Sequence, residues 1–259
     1  MTHKNPYAQA RSTKGKALFV PFTVLGDPDR KKSVEIVRTL VESGADALEL
    51  GFPFSDPPAD GPVIQAADVR ALQSGICIDD CFSMLAEIRT FTPIPIGLLV
   101  YYNLILQRGV EKFYRDCAAS GVTSVLIADL PLEHAQEVLP IAKAHHIAPV
   151  FLVSDVTTDE RLREICKVAE GYLYVVSYLG VTGAESAHRE GNMRALISRI
   201  RTHTDLPLMI GFGISTPQDV DAAAAAGADG VIVGSRIVRE VPDVWRIREI
   251  CEELRRGFI

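Results

Sequence analysis

The sequence predicts an α/β fold, a closed (β/α)8 TIM barrel, and three observations predict it. Short runs rich in Val, Ile, Leu and Ala alternate with longer amphipathic stretches of helical period, the pattern of parallel strands joined by helical crossovers. Eight such runs fall within 259 residues, a length that a barrel of this class occupies as a single domain. The unit also echoes itself: SGADALEL at 43–50, SGVTSVLI at 120–127 and AGADGVIV at 226–233 each read as a helix end, a glycine and a buried strand. An open doubly wound sheet is the alternative, because strand order is not visible in a sequence.

Taken in order, residues 1–16 carry Lys4, Arg11, Lys14 and Lys16 without an acid or an apolar run, so they read as an N-terminal tail or capping helix, not a targeting signal. Strands are expected near 17–23, 47–50, 96–101, 124–128, 148–152, 173–176, 207–210 and 230–233. Helices are expected near 30–43, 62–73, 78–90, 109–119, 132–145, 159–169, 191–203, 216–226 and 243–256, with one extra helix after the second strand. No linker or shift of composition divides the chain, so residues 1–259 are expected to form one barrel domain.

Composition narrows the class. With 27 Lys+Arg against 33 Asp+Glu the net charge is −6, which disfavours nucleic acid as the main partner. The longest apolar stretch, residues 94–106, is too short for a membrane span and is interrupted by Pro95, Gly97 and Asn103. The five cysteines are widely spread with no C-x-x-C pair, as in a reduced, cytoplasmic protein. Cys77 and Cys81 are expected on one helix face, as packing.

In such barrels the site forms where the strands end. Glu49 lies inside the second strand among Ala47, Leu48 and Leu50, where a carboxylate must be paired, hydrated or protonated. That residue is either half of a structural ion pair or a site group. Asp56 and Asp60 lie in GFPFSDPPADGPVIQ (51–65), a loop stiffened by Pro53, Pro57, Pro58 and Pro62; Asp60 reads equally as a helix cap or a catalyst. Asp129 closes the fourth strand, as a structural hydrogen-bonder or a site residue. Glycine-rich turns at 180–183, 211–215 and 234–235 suit a phosphate held by backbone N–H groups, or are tight turns only.

None of the eight lysines falls at a strand's C-terminal end, which disfavours an imine-forming aldolase. The six histidines form no metal-ligand pattern. What remains is acid–base chemistry on a phosphorylated small molecule by carboxylates, with no cofactor and no metal.

The stretch ELGFPFSDPPADGPVIQ at 49–65 resembles the tryptophan synthase alpha subunit family. LGDP at 25–28, Tyr101-Tyr102-Asn103, IADLP at 127–131, SYLGVTGAE at 177–185, GFGIS at 211–215 and IVGSRIV at 232–238 extend the resemblance in the family's order over nearly the whole chain. It implies a (β/α)8 barrel that cleaves indole-3-glycerol phosphate to indole and glyceraldehyde 3-phosphate in tryptophan biosynthesis. It further implies a beta subunit, which carries pyridoxal phosphate and receives the indole in an α2β2 heterotetramer.

By the same resemblance Glu49 moves protons at indole C3 and at the glycerol hydroxyl, and Asp60 meets the ring N1–H. Tyr174 lies near the glycerol phosphate; Gly183, Gly213, Gly234 and Ser235 match phosphate positions; Thr182 belongs to a closing loop. Phe22, Leu99, Leu126 and Phe212 fit the indole slot or pack the core. Asp56 and the Leu104-Ile105-Leu106 run match the face toward the beta subunit, although those three apolar residues could equally be buried. The sequence departs from many members at Val24, at Leu104 where Pro is frequent, and in the loop after Gly183, where Glu185, His188, Arg189 and Glu190 stand. A stand-alone indole-releasing lyase and a silent phosphate-binding barrel that activates a partner are the alternatives; a phosphosugar isomerase or epimerase is a more distant one.

Overall fold

Eight parallel strands follow one another in chain order and close on themselves, β8 pairing with β1, in the computed structural model, which describes residues 5–176 and 186–258, without the side chains of 186–191. They are β1 Leu18–Val24, β2 Leu48–Gly51, β3 Ile96–Val100, β4 Ser124–Ile127, β5 Ala148–Val153, β6 Leu173–Val176, β7 Leu208–Gly211 and β8 Gly230–Val233. The order settles the choice between barrel and open sheet. Each observed strand lies within one residue of its expected position at both ends.

Alternation along the strands sorts side chains into two cores. From β1, Leu18, Val20 and Phe22 enter the barrel interior with Leu126, Val150 and Ile232, while Phe19 points outward to the layer between sheet and helices. Along β2, Leu48 and Leu50 join that outer layer and Ala47 the interior. Glu49, standing between the two leucines, therefore faces inward with Ala47.

Around the sheet lie α1 Pro6–Lys14, α2 Arg30–Glu42, α3 Pro62–Gln73, α4 Ile78–Arg89, α5 Tyr102–Arg108, α6 Val110–Ala119, α7 Leu139–Ala144, α8 Asp159–Val168, α9 Ser186–Arg201, α10 Pro217–Ala225, α11 Ser235–Val238 and α12 Val244–Arg255. The extra helix after β2 is present, as α3 and α4. Three features differ from expectation. The helix expected over 132–145 splits into a 3-10 turn, Leu132–Glu137, and α7, because Pro140 has no N–H to bond back across the break. Tyr101, expected as the last residue of the third strand, is instead the N-cap of a short helix not expected from the sequence, α5, which Tyr102 opens, its N–H donating to Asp129 Oδ1 at 2.7 Å. Asp129 is thereby assigned a structural bond. The third is the one-turn helix α11, too short to carry a periodic signal. Of the two cysteines, Cys77 is exposed at the N-cap of α4, where its Sγ donates to Asp80 Oδ2 at 3.0 Å, and Cys81 is buried, so only Cys81 packs in the core.

The N-terminal segment is a capping helix. Asn5 accepts from the N–H groups of Tyr7 (3.0 Å) and Ala8 (3.3 Å), Pro6 starts the helix, and left-handed Gly15 ends it. The Asn5 amide donates to the Gly171 carbonyl at 2.7 Å, tying α1 beneath β6. Tyr7, 1% exposed, places its hydroxyl 2.7 Å from Ser124 Oγ and its ring edge-on to Tyr172, centroids 4.9 Å apart. Replacing Tyr7 by Ala is expected to lower the unfolding free energy in urea by about 3 kcal/mol, from lost aromatic burial. Tyr7→Phe, which leaves the Ser124 hydroxyl unpaired, is expected to cost about 1 kcal/mol in the same titration.

Candidate active site

At the C-terminal ends of the strands a cavity of about 400 Å³ opens, and Glu49, Asp60, Phe22, Leu99 and Tyr174 all line it. The volume is within the range that holds a small ligand. Glu49 is 1% exposed and accepts a hydrogen bond from the Tyr172 hydroxyl at 2.9 Å. Burial pushes its pKa up to about 7; the Tyr172 bond opposes this, and the charge of Asp60 adds to it. Among the described residues no cation partners Glu49, so the ion-pair reading of the sequence gives way to a carboxyl poised between its two protonation states.

Asp60 comes to the same cavity from the loop between β2 and α3. Gly61, not Asp60, is the N-cap of α3, so the capping role considered from sequence is not the one observed. The Asp60 side chain accepts instead from the Tyr101 hydroxyl, at 2.8 Å on Oδ2. Tyr101 in turn accepts from the Ala59 N–H at 3.2 Å, and its ring stacks on Phe54, centroids 5.1 Å apart. Partial burial raises the Asp60 pKa, and the Tyr101 bond opposes that rise. Tyr101 was read in the sequence only as part of a motif; its role as a donor depends on the loop folding back over β3, which no local pattern encodes.

The cavity walls need close approaches that glycine permits. A Cβ on Gly211 would sit 1.9 Å from the Tyr174 hydroxyl, and one on Gly51 would sit 2.9 Å from the Phe22 ring. Tyr174 thus lies across the end of β7, and Phe22 across the end of β2. Phe212 has φ +69, a left-handed conformation that costs a bulky residue energy, and its half-exposed ring stands edge-on to Tyr174 at 6.1 Å. Gly213 follows with φ +78. Together with Ser215, Gly234 and Ser235 these residues bring the turns after β7 and β8 to one side of the cavity. Arg236 and Arg239 also line it; neither was singled out in the sequence, because α11 was not anticipated.

Residues 8–256 match the family model of the tryptophan synthase alpha chain. The chain is 51% identical over 232 residues to the tryptophan synthase alpha chain of Methanothermobacter thermautotrophicus, covering 90% of this chain and 86% of that one. The chain belongs to the tryptophan synthase alpha chain family. Among solved structures it is similar to tryptophan synthase subunit alpha from Legionella pneumophila, with TM-score 0.89, 33% identity and 98% of each chain covered. It is likewise similar to a chain of the tryptophan synthase complex from Pyrococcus furiosus, with TM-score 0.84, 34% identity, and 92% of this chain and 98% of that chain covered.

The remaining positions expected from the tryptophan synthase alpha resemblance fall as follows. Leu126 is buried in the barrel interior and is not among the residues lining the cavity. Thr182 and Gly183, with the turn at 180–183, lie outside the described residues. Asp56 is exposed beside Ser55 on the loop that carries Asp60. Ile105 is fully buried in the outer core and so has no surface to offer a partner, whereas Leu104 is half-buried and Leu106 is exposed.

Glu49 carries a stability consequence. Its pKa rises from an ordinary value of 4.5 to about 7 on folding, so between those values the folded chain holds a proton that the unfolded chain has released. Stability therefore falls as pH rises through that window. Glu49→Gln, which can still accept from Tyr172, is expected to raise the unfolding free energy at pH 8 by about 3 kcal/mol and to change little at pH 4. Urea unfolding at the two pH values checks this.

Proposed function

We propose that Glu49 and Asp60 are the acid–base pair with which this chain cleaves indole-3-glycerol phosphate to indole and glyceraldehyde 3-phosphate, as the alpha subunit of tryptophan synthase in tryptophan biosynthesis. The observation that carries the assignment is that two carboxyl groups of different burial line one cavity whose opposite side is built from the glycine turns after β7 and β8.

The reaction is a retro-aldol cleavage. The carbon–carbon bond breaks only when the indole ring can take up its electron pair, and protonation at C3 creates the indolenine that does so. Glu49, buried and with a pKa of about 7, is suited to donating that proton as an acid and to accepting the glycerol hydroxyl proton as a base. Loss of that hydroxyl proton forms the aldehyde C=O as the carbon–carbon bond breaks, its electrons returning to the ring as indole leaves. Proton and charge balance within one turnover.

Asp60, held by Tyr101 on a loop at the cavity wall, is placed to accept the N1–H hydrogen bond, which strengthens as the ring becomes cationic. Phe22, Leu99 and Phe212 offer apolar surface for the ring, and Tyr174, which lines the same cavity, is assigned to the glycerol phosphate. The N–H groups around Gly213, Gly234 and Ser235 suit the phosphate, with Gly183 and Thr182 expected to complete that end. The chain needs no cofactor for these steps.

The partner in this reading is a beta subunit, which carries the pyridoxal phosphate, in an α2β2 assembly in the cytoplasm. Asp56, on the loop that carries Asp60, and Leu104, on α5 after β3, form part of the docking face in this reading.

Indole release from indole-3-glycerol phosphate is the test, for wild type, Glu49→Gln and Asp60→Asn, each with and without a beta subunit. Slow wild-type release accelerated by the beta subunit is expected, with a loss of about 10³-fold or more in either variant. Fast release without a partner would indicate a stand-alone indole producer, and binding without turnover a silent barrel.

A further inference from the structure

The loop that brings Asp60 to the cavity is tied to α3 by another carboxyl group, one the cleavage reaction does not use. Asp68, on the second turn of α3, is 3% exposed, and its Oδ1 accepts from the Phe54 N–H at 3.4 Å. Its Oδ2 is buried and receives no donor among the described residues. From Phe54 the path to the cavity is short: the Phe54 ring stacks on Tyr101, and the Tyr101 hydroxyl donates to Asp60. One side chain thus fixes the start of the loop and another its end, with the stacked pair between them.

The charges around Asp68 are unbalanced. Asp27, in the turn after β1, is fully buried and takes both arms of the Arg70 guanidinium, 2.7 Å each, so the nearby cation is already committed. That leaves Asp68 in the field of Asp60 with no cation between them among the described residues, and the remaining titratable neighbour, Tyr101, is a neutral donor. Two like charges in such a region do not both ionise readily. Asp60 has the stronger hydrogen bond and the more exposed position; Asp68 has one long bond and almost no solvent. Burial, together with the charges of Asp60 and Asp27, pushes the Asp68 carboxyl up to about 7.

We propose that Asp68 is a positioning residue for Asp60: it anchors the Phe54 end of the loop to α3 while keeping its own proton, so that the negative charge of the group stays on Asp60. Ionisation of Asp68 strengthens the bond from the Phe54 N–H but places a second negative charge behind the loop, which raises the proton affinity of Asp60 and opposes the binding of an anionic phosphate ester. The consequence is a substrate affinity that weakens on the alkaline side, separate from any change at Glu49. The proposal rests on the lyase reading for its kinetic signature but not for its titration.

The test compares wild type, Asp68→Asn and Asp68→Leu in the complex with a beta subunit, measuring kcat and KM for indole-3-glycerol phosphate from pH 6 to 9. Asparagine mimics the neutral acid and leucine removes the anchor. Wild type is expected to show KM rising roughly fivefold across this range, Asp68→Asn a KM constant within about twofold, and Asp68→Leu a KM raised about fivefold or more throughout with a smaller change in kcat. Loss in Asp68→Asn equal to that in Asp68→Leu, or retention of the wild-type pH dependence in Asp68→Asn, would overturn the proposal. A carboxyl carbon NMR titration of the full chain reads Asp68 directly, even if no cleavage is seen and the lyase reading has failed. Titration near pH 7 supports the proposal; titration below about pH 5 overturns it.

Discussion

A carboxyl group enclosed by a barrel interior is the constraint on which much of this structure depends. The inward position of Glu49 follows from strand alternation alone, since Leu48 and Leu50 claim the outer layer. Once there it requires a donor that does not neutralise it, because a cation would hold it ionised and remove it from proton transfer near neutrality. The Tyr172 hydroxyl meets that requirement. Tyr172 is packed by Tyr7 from α1, whose hydroxyl pairs with Ser124, and Gly97 beside Glu49 keeps the space open, since a Cβ there would fall within 3.5 Å of all three hydroxyls. The N-terminal helix is thus coupled to the reactive end of the barrel by a path of tyrosines, not merely set against its base.

The outer wall solves a different problem. A flat aromatic substrate, as in the proposed reading, needs a slot between side chains, and this cavity wall is made by aromatic rings laid over glycines. Phe22 crosses Gly51, Tyr174 crosses Gly211, and Phe212 accepts an unfavourable backbone conformation to bring its ring beside Tyr174. Backbone strain at the turn after β7 and close packing at the strand ends therefore serve one geometry.

What was legible in the sequence, and what was not, follows physical lines. The strands were visible because burial on both faces makes them continuous apolar runs, and Glu49 because a charge inside such a run has few explanations. The turns after β7 and β8 that line the cavity were visible through their glycines. The one-turn helix α11 and the break at Val138 were not, because neither spans enough residues to show a period. Nor were the contacts made across long separations: the Tyr101–Asp60 bond spans 41 residues and the Tyr172–Glu49 bond 123. Ile105 illustrates the same limit, since alternating burial within a short helix depends on which face meets the core, and here that face takes Ile105 and leaves Leu106 outside.

The two carboxyls proposed as the acid–base pair differ in the elements that hold them. Glu49 is on a strand paired on both sides, so its position is fixed by the barrel and its protonation by burial. Asp60 is on a proline-rich loop, so its position is fixed by side chains, Tyr101 at one end and Asp68 through Phe54 at the other. A displacement of that loop moves Asp60 while leaving Glu49 where it is. Asp56, exposed on the same loop, lies four residues from Asp60, within reach of a surface docked at that end of the barrel. A contact there would act on the geometry of one member of the proposed pair only. In the proposed reading, a partner docked there would govern N1–H recognition by Asp60, and with it the charge stabilisation that cleavage requires, without disturbing Glu49 in the barrel.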